Sequence, residues 1–255
     1  MRKIIIIIVI VLSNFLIAPF SLAISTEANN QQEEILFKTK ANLVIERMAE
    51  ETAVPTEGDI EKYVFPQIIA HLAKDQNDKW ARINLDKFTS KLEENFYTNR
   101  DAFASPGITR ILYLYGDNSF VQKSTENYLN YINPEKVTKK NYNFWTTGGT
   151  ENFVNMLRTS GYLLADLGVN QGKNIFIKEK NNLENWINYQ AKKVYEVGTA
   201  EWDSSTYTTF NLIGWLNLYD FAKNSNIKKI AQAFLDYYSA TMALKYSYGI
   251  HGGAE

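Results

Sequence analysis

From Ile35 to Ser247 apolar side chains return every third or fourth residue, in helix-length runs parted by short polar breaks. That spacing is the signature of one apolar face on an α-helix. Ile35, Leu36, Leu43, Val44, Ile45 and Met48 make the first such face, with Glu27, Glu33 and Glu34 early in the segment where they suit a helix N-terminus. Thr56 is placed to cap a second helix reaching about Lys74, and Pro66 predicts a kink or break inside it. A third runs from Asp78 to Tyr97, with Trp80, Ile83, Leu85, Phe88, Leu92 and Phe96 expected inward. Ser105-Pro106 opens a fourth through Ile108, Ile111, Leu112 and Tyr115. Helices are then expected over Ser119–Ile132, Thr150–Leu167, Asn174–Val197, Ser205–Ala222 and Ile227–Ser247. Tyr207 to Phe210 is β-prone, but it continues into a helical period through Ile213, Leu216 and Tyr219. No fixed-period repeat recurs. The expected fold class is all-α, built of antiparallel helical hairpins.

Composition narrows the chemistry. The chain has 255 residues, enough for one domain, and with 45% hydrophobic and 14% aromatic residues it is not a disordered segment. A formal net charge of −1 lacks the basic footprint of a nucleic-acid partner. There is no cysteine, so there is no disulfide framework, thiolate metal site or cysteine nucleophile. His71 and His251 are the only histidines, too few for an all-histidine zinc site, and no metal or cofactor is expected. Phosphate-loop, dinucleotide, nucleophile-elbow and zinc-protease motifs are absent.

The N-terminus carries an export pattern. Arg2-Lys3 precedes an apolar run from Ile4 to Ala18, and Ser21 and Ala23 supply small residues at the −3 and −1 positions of a cleavage site. The run falls short of the roughly 20 apolar residues a spanning helix needs, although Leu16 to Leu22 could extend it. Residues 1–23 are therefore expected to be a signal peptide and residues 24–255 the exported helical domain, periplasmic or secreted, with no membrane anchor after cleavage.

Two polar, aromatic loops precede expected helices. The first runs from Asn143 to Phe153 and contains Trp145, Gly148, Gly149, the N-cap candidate Thr150, then Glu151 and Asn152 in the first turn. Glu151 and Asn152 either line a cleft or simply stabilise a helix start. The second runs from Gly198 to Tyr207 and contains Glu201, Trp202 and Asp203 before the cap candidates Ser204 and Ser205. A tryptophan among carboxylates and hydroxyls suits a sugar site, where the ring stacks on a pyranose face. The alternative is that Trp202 plugs the core and Asp203 helps to cap.

Two reactions fit these residue types. Glycoside hydrolysis needs two carboxylates about 5 to 9.5 Å apart, for which Glu151, Glu201 and Asp203 are candidates. Elimination across a uronic acid needs the substrate carboxylate neutralised, a base for the neighbouring proton and an acid for the leaving oxygen. Asn152, Arg158, Tyr207 and His251 are of the right types, His251 lying in the glycine-rich Tyr248–Glu255 tail. His71, among Ile68, Ile69 and Leu72, reads as structural.

The run Thr150-Glu151-Asn152-Phe153-Val154-Asn155-Met156-Leu157-Arg158-Thr159-Ser160-Gly161-Tyr162, followed by Glu201-Trp202-Asp203-Ser204-Ser205-Thr206-Tyr207 and Leu216-Asn217-Leu218-Tyr219-Asp220-Phe221-Ala222, resembles exported bacterial proteins distantly similar to the heparinase II/III and alginate-lyase group. The resemblance covers Asn143 to the C-terminus. It implies an incomplete (α/α) toroid, lyase-like β-elimination on a uronate-containing polysaccharide, and Asn152 as the carboxylate neutraliser with Tyr207 as acid or base. Trp145, Glu151, Arg158, Glu201, Trp202 and Asp203 would bind the oligosaccharide. The chain departs from that pattern at Phe153, where the resemblance implies histidine, leaving His251 or another tyrosine to move the proton. A non-catalytic glycan-binding module and an inert fragment are the alternatives. Relatives implied by the resemblance continue into more toroid helices and a β-sandwich, so residues 24–255 are expected to be the N-terminal part of a longer architecture.

Overall fold

The structure is a computed structural model that describes residues 27–54, 60–90, 99–136, 143–201, 204–247 and 250–251. The expected signal peptide, Thr56, Leu92, Phe96, Trp202 and Asp203 lie outside them. The described chain is all-helical apart from one small ladder. Its helices are α1 (Glu27–Glu50), α2 (Glu61–Lys74), α3 (Lys79–Ser90), α4 (Asn99–Leu114), α5 (Ser119–Tyr131), α6 (Glu151–Asn170), α7 (Ile177–Val197), α8 (Ser205–Phe221) and α9 (Ser225–Lys245). β1 (Tyr246–Ser247) pairs antiparallel with β2 (Ile250–His251). No described helix is long and apolar enough to cross a membrane.

Side-chain caps set several helix starts. Asp78 Oδ1 accepts from Ala81 N at 2.7 Å ahead of α3, Asn118 Oδ1 from Phe120 N at 3.2 Å ahead of α5, and Ser204 Oγ from Tyr207 N at 3.1 Å ahead of α8. Each satisfies one of the donors left bare by the first helical turn. α6 ends in paired reverse bonds, Lys173 N to Gly168 O and Gly172 N to Val169 O, with Gly172 at φ +78°. A side chain at that φ would be strained, which is why glycine closes the turn.

α4 corrects the expected start at Ser105-Pro106. The helix already runs from Asn99, with Pro106 inside it. Proline cannot donate to the carbonyl four residues back, that of Ala102. The Ser105 hydroxyl donates to Ala102 O instead at 3.1 Å, so the carbonyl keeps a partner and the helix continues. α2 likewise continues through Pro66.

The even-numbered helices form a row, α2 against α4, α4 against α6 and α6 against α8. Odd-numbered helices also pair, α3 against α5 and α7 against α9. The α6–α8 contact is close because Gly214 lacks a side chain: a Cβ there would lie 2.5 Å from Thr159 Oγ1. Trp215 of α8, fully buried, stacks on Phe234 of α9 at 3.7 Å between centroids. Between α4 and α8, the buried Arg110 donates to Asn217 Oδ1 and, at 2.6 Å, to Asp220 Oδ2, while Asn217 Nδ2 donates to Pro106 O at 2.9 Å.

Two expected inward faces differ. α1 buries Ala41 and Ile45, whereas Ile35, Leu36 and Leu43 are 59%, 52% and 59% exposed. Among the described helices its main neighbour is α2. On α3, Leu85 is buried but Ile83 is exposed. The segment after α1 is held by side chains: His71 Nε2 lies 3.2 Å from Glu51 O, Trp80 Nε1 donates to Thr52 O at 2.8 Å, and Gln67 Nε2 donates to Ala53 O at 3.5 Å. His71 also faces Asp78 through Nδ1 at 3.3 Å and stacks on Trp80, a structural role as expected.

Candidate functional site

The two loops singled out in the sequence meet at the start of α6. Glu151 sends its carboxylate across to the 198–204 loop, where Oε2 accepts from Ala200 N at 2.8 Å and Glu201 N at 3.0 Å. Glu201 returns the contact, its Oε2 accepting from Asn152 N at 2.7 Å. Each carboxylate thus caps backbone donors of the other's segment. Thr150 has the backbone of an N-cap but makes no capping bond; its hydroxyl donates to Asn152 Oδ1. Glu201 fills the capping role from the neighbouring loop.

A polar network continues inward. Asn211 Nδ2 on α8 donates to Glu201 Oε2 at 3.2 Å, and Asn155 Nδ2 on α6 donates to Asn211 Oδ1 at 2.7 Å. Three atoms around it are buried without a partner: Asn152 Nδ2, Asn155 Oδ1 and the Tyr238 hydroxyl. Burial pushes the Glu201 carboxyl above its ordinary value, backbone and amide donors from Asn152 and Asn211 pull against that, and the Glu151 charge adds to the rise. Burial, with the charges of Glu151 and Glu201 nearby, also raises the Tyr238 phenol.

Arg158 lies two turns further along α6. Its Nη2 donates to Thr147 O at 2.8 Å, and its guanidinium sits 5.1 Å from the centroid of the Trp186 ring on α7. Nε is buried with no partner. Burial alone lowers its pKa from the ordinary guanidinium value, with no carboxylate contributing. A half-buried guanidinium resting on an indole face is held in orientation while keeping donors for a planar anion.

The other expected site residues are distributed differently. Trp145 is buried, its ring near Phe144 and Phe176 and its indole N–H donating to Ile132 O at 3.2 Å, so its place is in the core. Tyr207 stands 46% exposed in the first turn of α8. His251 pairs with Tyr246 in the β1–β2 ladder through its backbone, and its side chain lies outside the described residues. Phe153, half-buried, packs edge-on to Phe103. Among the described residues no group of three or more His, Asp or Glu gathers in a way that could hold a metal ion.

Sequence reading missed Asn155, Asn211, Trp186 and Tyr238. The two asparagines leave a faint signal, as polar residues on the otherwise apolar faces of α6 and α8. Nothing local marks Trp186 or Tyr238 as neighbours of the α6 start.

No protein-family model, curated protein or solved structure matches this chain.

Proposed function

We propose that this chain is an exported polysaccharide-acting protein that holds a uronate-containing glycan beside the joined loops at the start of α6. Arg158 carries the reading. It is a half-buried cation, oriented by Trp186 and Thr147, with no acidic partner among the described residues. A sugar carboxylate supplies the missing counter-ion, and the crossed Glu151–Glu201 caps keep the two loops at fixed spacing beside it. The succession of contacts α2–α4–α6–α8, with α3–α5 and α7–α9 pairs beside it, supports the reading of an arc of an incomplete (α/α) toroid. Export rests on the basic, apolar and small-residue succession before Ile24.

Binding is favoured over turnover. Phe153 can neither take nor give a proton, and Asn152 is 1% exposed with its oxygen already bonded to Thr150. One observation keeps β-elimination as a second reading: Asn152 Nδ2 is buried without a partner, the group that would face a uronate carboxylate once a ligand opened the site.

The test is a titration of the folded chain from Ile24 onward with uronate oligosaccharides and with neutral ones of equal length, followed by tryptophan fluorescence. Saturable binding of the acidic series alone, weakened at least about tenfold by Arg158→Gln, is expected. Equal binding of both series removes the role of Arg158, and no binding of either removes the function. Ultraviolet absorbance from an unsaturated sugar product in the same samples would promote elimination to the first reading.

A further inference from the structure

α1 is apolar on two sides. Ala41 and Ile45 are buried, while Ile35, Leu36 and Leu43 keep more than half of their surface in water. Leu43 lies two positions from both Ala41 and Ile45, about 200° round the helix, so the exposed stripe faces away from the buried one. Leu36 and Leu43 stand seven residues apart on it. Thr39 sits between them, and its hydroxyl is spent on the helix itself, donating to Ile35 O at 2.8 Å. Glu33, Lys40 and Arg47 repeat at the same seven-residue interval along one edge of the stripe, and all three are exposed. Glu33 and Arg47 make no ion pair among the described residues, whereas Lys38 and Glu34 pair with each other at 2.6 Å.

We propose that this outer stripe is the interface of a two-fold dimer, in which α1 lies antiparallel to α1 of a second copy of this chain. A helix apolar on both sides is one that is buried on both sides, and heptad-spaced leucines edged by charges are the pattern of a helix packed on a helix. The charges choose the occupant and its direction. Lys40 is the midpoint of Glu33 and Arg47, and the midpoint of Leu36 and Leu43 falls between Thr39 and Lys40. A two-fold axis at that point sets Leu36 of one copy against Leu43 of the other and Glu33 against Arg47. Symmetry makes each contact twice and closes the assembly at two chains. A parallel pairing in register would instead set Glu33 on Glu33 and Arg47 on Arg47. Lys40 meets its own copy at the axis, an opposition that its long stem relieves by turning the ammonium to water. The dimer is independent of the glycan reading and of Arg158.

The experiment is sedimentation across a concentration series, on protein purified with its own N-terminus so that the cell has completed any processing. The parent, Leu43→Glu, Arg47→Glu and the exchange Glu33→Arg with Arg47→Glu are compared, and thermal melts confirm that each is folded. The parent is expected to be a dimer in reversible equilibrium with monomer. Leu43→Glu weakens it at least about a hundredfold and Arg47→Glu about tenfold, while the exchange variant returns to within about threefold of the parent. Raised salt weakens the parent and brings Arg47→Glu closer to it. A parent that stays monomeric at every concentration overturns the proposal, whether the stripe then proves to hold lipid vesicles or another protein. A dimer that survives Leu43→Glu lies on another surface and overturns it as well. An exchange variant no tighter than Arg47→Glu alone rejects the antiparallel pairing. Should Leu43→Glu fail to fold, the charge exchange decides, since Glu33 and Arg47 are both exposed and outside the core.

Discussion

Glu151 and Glu201 cap each other's segments: the first carboxylate takes the backbone N–H groups of Ala200 and Glu201, and the second takes that of Asn152. The pair performs across two loops what a capping box performs within one helix turn. Two negative charges at the positive end of α6 are tolerated because each is spent on backbone donors. The arrangement explains why the start of α6 does without a side-chain cap from Thr150.

Replacing Glu151 tests the clasp. Glu151→Ala leaves the Ala200 and Glu201 amides without their acceptor and is expected to cost about 1 to 2 kcal/mol in denaturant unfolding. Local hydrogen exchange at residues 198–201 should rise more than at α9. An unchanged unfolding midpoint together with unchanged exchange would show that the clasp is not a structural tie.

Glu201 gives a pH signature. Its folded pKa is raised, by burial first and with a contribution from Glu151, so the folded state holds this proton to higher pH than the unfolded chain does. Stability contributed here is therefore greatest on the acid side and declines as pH rises from the unfolded carboxylate value through the raised folded one. Glu201→Gln keeps an oxygen for the Asn152 and Asn211 donors and removes the charge. The variant is expected to be at least as stable as the parent at neutral pH, with a shallower decline across that window; a steeper decline would contradict the assignment.

The helix starts that frame this site are legible in the sequence, and the reasons are local. Thr150-Glu151 and Ser204-Ser205 sit within a residue of the starts of α6 and α8, because a helix boundary is written in its caps and its apolar period. Pro106 misled for the same reason, since a proline after a serine reads as a start until the Ser105 hydroxyl is seen bonding Ala102 O. Trp145 looked like a ligand-binding ring in a polar loop, and its burial depends on Phe144, Phe176 and Ile132, which no spacing rule brings together. The exposure of Ile35, Leu36 and Leu43 beside the buried Ala41 and Ile45 depends on how α1 meets α2, which is a property of the assembled fold.

The least legible contact is Arg110 with Asp220, more than a hundred residues apart. Arg110 is 2% exposed, and burial lowers its pKa while Asp220 pulls it back up. Asp220→Leu strands that cation and is expected to destabilise by about 3 to 5 kcal/mol. Arg110→Met combined with Asp220→Leu should recover most of the loss, because the desolvated charge is gone. Additive losses in the double variant would show that packing, not the stranded charge, sets the cost.

Phe153→His asks whether the site is an elimination centre waiting for its proton carrier or a binding surface. The imidazole is smaller and polar, so it gives up edge-on contact with Phe103 and loosens the Phe103–Phe210 pair; a loss of about 1 to 3 kcal/mol in stability is expected. On the binding reading, no unsaturated product accumulates, because Asn152 remains buried and Tyr207 stands exposed on the first turn of α8. Unsaturated product above the parent's level, from a variant that is measurably folded, would mean that Asn152, Arg158 and a tyrosine already form a competent centre. Phe153 would then be the substitution that silenced it, and the buried Asn152 amide nitrogen the group that neutralises the sugar carboxylate.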